Sequence, residues 1–78
     1  DRLGARSVGR VVDVEAAFDA AFVDLGSPDR TAFLPHGQGP WPREGDAIEV
    51  EVVAEPRERK GPTVRRIGPA EGPPRLLS

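Results

Sequence analysis

Apolar and polar side chains alternate along most of this chain with a period of two, the period of a strand with one buried face. The clearest case is Ala47 to Ala54, where Ile48, Val50 and Val52 point one way and Glu49 and Glu51 point to water. Val8 to Glu15 mixes β-branched residues with charge and predicts a first strand. Ala20 to Leu25 predicts a second, with Ala21, Val23 and Leu25 on one face and Ala20, Phe22 and Asp24 on the other. The cluster Gly26, Ser27, Pro28 and Asp29 predicts a turn, and Thr31 to Leu34 a short third strand. Ala47 to Ala54 is then the fourth strand and the arginine-rich Thr63 to Ile67 the fifth.

The connections narrow the fold. Pro35 to Asp46 contains three prolines and three glycines, so a long helix is excluded there. At most a 3₁₀ turn is expected in that excursion, with Trp41 plugging an end of the core. Glu55 to Pro62 predicts a hairpin loop, and residues 68–78 an exiting Pro/Gly-rich linker after a short flank (1–7) and one domain (8–67). Five short strands, a helix-poor excursion between the third and fourth, and a closing hairpin predict an all-β, OB-type Greek-key barrel. Closure suits so short a chain because it removes exposed sheet edges. On pattern alone an SH3-like barrel is the competing fold.

Composition changes the picture in two ways. The chain has 78 residues, no cysteine and one histidine, which excludes disulfides and thiolate metal sites and disfavours zinc. That composition suits a reducing, cytoplasmic setting, and no stretch is apolar enough for a membrane span. Starting at Asp1 rather than methionine, the chain reads as a domain of a longer protein, expected to be monomeric in isolation. The net charge is −2, yet residues 1–55 carry 5 basic and 11 acidic side chains while residues 56–78 carry 6 basic and 2 acidic ones. The carboxyl-terminal third is therefore locally cationic, through Arg57, Arg59, Lys60, Arg65 and Arg66. A patch of that kind attracts phosphate even on a mildly acidic domain, although a solvated charged hairpin has the same composition.

Candidate chemistry centres on the phenylalanines. Strand phase puts Phe22 opposite the aliphatic face, and Phe33, between Ala32 and Leu34, takes the equivalent place on the next strand. Two rings so placed are either core residues or a platform for nucleobases, which stack on exposed aromatics without regard to sequence. Phe18 lacks that phase support and is expected to be buried or packed under the loop between strands one and two. Lys60 precedes Gly61-Pro62 at the hairpin tip and is a candidate phosphate contact, with Arg10, Arg65 and Arg66 as electrostatic support. His36 stands alone and reads as a loop residue. No phosphate loop, nucleophile elbow or paired-carboxylate pattern is present, so no active site is expected.

Gly9-Arg10-Val11, Ala20 to Gly26, Ala32 to Pro35 and Glu55 to Gly61 together carry a resemblance that covers nearly all of residues 8–67. In this order and spacing they resemble the S1 domain of the ribonuclease E/G family. The resemblance implies an S1-type OB barrel that binds single-stranded RNA. Phe22, Phe33 and Lys60 match the family's RNA-contacting positions. It also implies a parent endoribonuclease whose magnesium-binding aspartates lie further downstream, so this domain is expected to bind RNA without cutting it and to need no cofactor of its own. Two segments depart from the family pattern: the excursion at residues 35–46 is short, and Ile67-Gly68-Pro69-Ala70 replaces a run that usually reads Ile-Ser-Leu-Ala-Gly. A barrel retained for structural or protein contacts after losing RNA binding is the alternative reading.

Overall fold

The computed structural model describes residues 2–27, 31–55 and 61–78. Within them the alternating segments become strands β1 (Arg6–Glu15), β2 (Ala20–Asp24), β3 (Ala32–Pro35), β4 (Ala47–Ala54) and β5 (Thr63–Pro69). A short β6 (Arg75–Leu76) follows. No α-helix occurs among the described residues. The strands pair in the order β2-β3-β5-β4-β1-β6, and β1 pairs with β2 as well, so β1, β2, β3, β5 and β4 form a closed ring. All neighbours are antiparallel except β3 and β5, which run parallel with Phe33 opposite Thr63.

β1 closes the ring because it is long enough to serve two partners. Its first half, Arg6 to Arg10, pairs with β4, and Arg10 to Glu15 pairs with β2. Between them Val12 is an extra residue in the β1–β2 ladder, since Val11 faces Val23 and Asp13 faces Phe22. Such a bulge bends a strand and increases its twist, which lets one strand turn from one neighbour to the next. Gly9 lies three residues before the bulge, opposite Ile48 of β4, and a Cβ there would overlap the Val23 side chain. Any larger residue there pushes β1 off β2.

The core inside the ring is aliphatic. Val11, Val23, Ile48, Val50, Val52 and Val64 are buried within it, with Ala21, Ala32 and Leu34. No aromatic ring belongs to it. The inward faces expected for β2 and β4 are the ones observed.

Several expectations require correction. Phe18 is 65% exposed rather than buried. It ends a one-turn 3₁₀ helix, Ala16–Phe18, that Asp19 closes in the left-handed conformation (φ 53°). The 3₁₀ turn thus lies between β1 and β2, and residues 36–46 form bends and a turn instead. Trp41 does not plug the core; it is 38% exposed and stacks on His36, with centroids 3.9 Å apart. Glu49 and Glu51 are half-buried beside Arg6 and Arg65 rather than simply solvated. β5 continues to Pro69, and the segment read as an exiting linker returns to β1, with Ser7 opposite Leu76 and Val8 opposite Arg75. No described helix is long and apolar enough to cross a membrane.

Candidate functional site

Phe22 on β2 and Phe33 on β3 are directly opposed in the antiparallel ladder. Their rings lie edge to face, with centroids 5.7 Å apart and planes at 66°. That arrangement aligns the positive edge of one ring with the negative face of the other. Both rings are half-buried and outside the aliphatic core, because Ala21, Val23, Ala32 and Leu34 occupy the inward positions on either side of them. The two-residue period of the strands therefore produces a single aromatic pair on the outer surface of β2–β3.

The cations are distributed unequally around this pair. The chain enters β5 beside Phe33, whose N–H donates to the Pro62 carbonyl at 2.8 Å. Gly61 is pressed so closely on Thr31 that a Cβ would overlap the Thr31 carbonyl. Lys60, with Arg57 and Arg59, lies outside the described residues. Arg10 is half-buried and ties two loops together, donating from Nη1 to the Gly45 carbonyl (2.8 Å) and from Nη2 to the Gly72 carbonyl (3.1 Å). Arg65 is exposed and pairs with Glu51 across β4–β5, with Nη2 and Oε1 2.6 Å apart. That oxygen has no well-aligned hydrogen-bond donor, so the contact is a close charge pair rather than a directed bond. Arg66 is exposed and donates from Nη1 to the Pro40 carbonyl at 3.0 Å.

Among the described residues β3 and β5 share one register pair, Phe33 with Thr63, and then part. A groove of about 720 Å³ opens beyond that point, between β5 and the 36–42 loop. Its floor reaches the core at Leu34 and Val64, and its walls include His36, Trp41, Arg65 and Arg66. The imidazole and indole lie parallel to within 2°. His36 Nε2 lies 3.3 Å from the Gly39 carbonyl, and Nδ1 lies 3.8 Å from the Asp19 carboxylate. The sequence marked Trp41 only as a possible plug and His36 as a loop residue. The bend at residues 38–40 lies between the two rings, and the Pro/Gly content of the loop was the available signal for it.

Elsewhere, Asp13, Glu15 and Glu44 approach one another. A hydrogen bond with the Asp13 side chain, then repulsion from Asp13, partial desolvation and the Glu44 charge, raise the Glu15 carboxyl above the usual range. Among the described residues, no three histidine or carboxylate side chains converge as a metal site. No protein-family model matches the chain, and no curated protein matches it.

Proposed function

We propose that the chain is an S1-type OB barrel that binds single-stranded RNA across β2 and β3. The observation that carries this reading is the Phe22–Phe33 pair, placed outside a core that is otherwise wholly aliphatic. Core demand does not account for two opposed rings there, whereas base stacking uses them directly. The strand order of the ring, with β3 parallel to β5, agrees with the OB topology expected from the sequence. In this reading Phe22 and Phe33 stack on bases, and Lys60 contacts phosphate on the strength of the ribonuclease E/G resemblance. Arg66 adds a phosphate contact, Arg65 a weaker one because of Glu51, and Arg10 lends electrostatic support. The magnesium implied for a ribonuclease parent belongs to residues downstream of this domain, and no catalytic step is assigned to the side chains here.

Fluorescence anisotropy with a labelled single-stranded oligonucleotide tests the reading. Phe22→Ala and Phe33→Ala should fold and lose affinity, by about 1–3 kcal/mol for each stacked base. Folded variants that bind as tightly as the parent chain would refute it. A second reading, a protein-binding barrel, is favoured by the engagement of Arg10 and Arg65 with internal partners. It predicts no RNA binding even at low salt, where phosphate contacts are strongest.

A further inference from the structure

We propose that the groove between β5 and the 36–42 loop is a nucleotide subsite, with a base against Trp41 and a phosphate on Arg66. The inference rests on the RNA-binding reading and extends it, since the occupant in function is a further nucleotide of the strand that crosses Phe22 and Phe33. Three observations converge on it. The groove, at about 720 Å³, falls within the range of sites that hold small ligands. Its wall carries the chain's single tryptophan, 38% exposed and held in a fixed plane by the His36 ring. An indole held in this way offers a flat surface at little further entropic cost.

Charge is the second argument. Among the described residues no acidic side chain lines the groove, while Arg65 and Arg66 do. An apolar floor rimmed by cations, with no carboxylate among its described lining residues, fits a flat aromatic group that carries an anion. An apolar peptide would leave the Arg66 guanidinium without a counter-charge, whereas Arg65 already has Glu51 beside it. Arg66 is also oriented by its bond to the Pro40 carbonyl, one residue before Trp41, which ties the cation to the segment that carries the ring.

Continuity is the third. Thr63, the register partner of Phe33, lines the groove, and so do Leu34 and Pro35, which follow Phe33 on β3. Among the described residues, a strand leaving the phenylalanine pair along β3 thus reaches the groove mouth without crossing another element.

Because Trp41 is the only tryptophan, its emission and its indole N–H resonance report on the groove alone. The probes are adenosine monophosphate and an oligoadenylate of about six nucleotides, within the span of one OB fold. Both should quench Trp41 saturably and shift its N–H signal. Trp41→Leu should weaken the oligoadenylate by roughly fivefold or more, the low end of base stacking. Arg66→Gln should reduce the salt slope by about 0.7, the value of one phosphate contact to a single strand. Trp41 is partly exposed, so the variant's fold can be confirmed by its melting curve, and Arg66→Gln gives an independent second test. Oligoadenylate binding that depends on Phe22 but leaves Trp41 silent and both groove variants unchanged overturns the subsite and spares the RNA-binding reading. Trp41 quenching by the mononucleotide, lost in Arg66→Gln, with no dependence on Phe22 in either probe, keeps the subsite and overturns the phenylalanine platform. A Trp41 response to an apolar dye but to neither nucleotide overturns the subsite and assigns the groove to an apolar segment.

Discussion

The position of Phe22 shows how much a single residue's strand phase decides. As a core ring it would cost about 3–5 kcal/mol to truncate. In a half-buried place opposite Phe33, the loss is part of its burial and one edge-to-face contact, about 1–2 kcal/mol. Urea denaturation of Phe22→Ala should return the smaller figure, and the larger one would place the ring in the core. Glu15 yields a residue-scale prediction of the opposite kind. Its raised titration means that the folded state holds this proton more tightly than the unfolded chain does. The stability gained from that proton is complete below the unfolded value and is lost as pH rises through the folded one, leaving carboxylate repulsion at neutral pH. Glu15→Gln should therefore raise Tm at neutral pH, with the gain shrinking as the solution is acidified. An equal gain at all pH values would mean that the repulsion is not its source.

At the level of elements, β2 and β4 were legible because their inward side chains are spaced by two and need no knowledge of partners. Ile48, Val50 and Val52 announce themselves in that way. The amino-terminal extension of β1 to Arg6 and the whole of β6 did not. Their pairing joins residues near opposite ends of the chain, Ser7 with Leu76, and leaves little local pattern. Phe18 was misjudged because its ring extends from a single 3₁₀ turn, where strand phase has no meaning. Among the described residues the join in the ring with the fewest register pairs is β3–β5, with one, and Gly61 lies close against Thr31 beside it. Gly61→Ala forces the two backbones apart and should cost about 1–3 kcal/mol, as overpacking does. Hydrogen exchange gives a sharper reading. The Phe33 amide, bonded to the Pro62 carbonyl, should lose protection well beyond the amides of β4. Uniform loss across both strands would show that β3–β5 is no weaker than the rest.

For the molecule as a whole, small size sets the terms on which binding can be seen. A chain of 78 residues with a core of valine, alanine, leucine and isoleucine is expected to have a stability of roughly 4–12 kcal/mol. Removing most of one buried side chain, as in Ile48→Ala, costs about 2–5 kcal/mol, a large share of that margin. A ligand that binds only the folded form restores stability by mass action, about 2.7 kcal/mol when present at a hundred times its Kd. In a domain of this size that corresponds to a rise in Tm of roughly ten degrees or more. Single-stranded RNA should therefore raise the Tm of Ile48→Ala steeply with concentration, and the rise should fall away with added salt as phosphate contacts are screened. The same titration on Ile48→Ala combined with Phe22→Ala separates binding from folding. If the phenylalanine pair is the platform, the starting Tm falls by roughly 4–16 degrees, as the lost ring contacts require, and most of the RNA-dependent rise disappears. If the rise survives intact, RNA is held elsewhere on the barrel, and the outward placement of the two rings serves another partner.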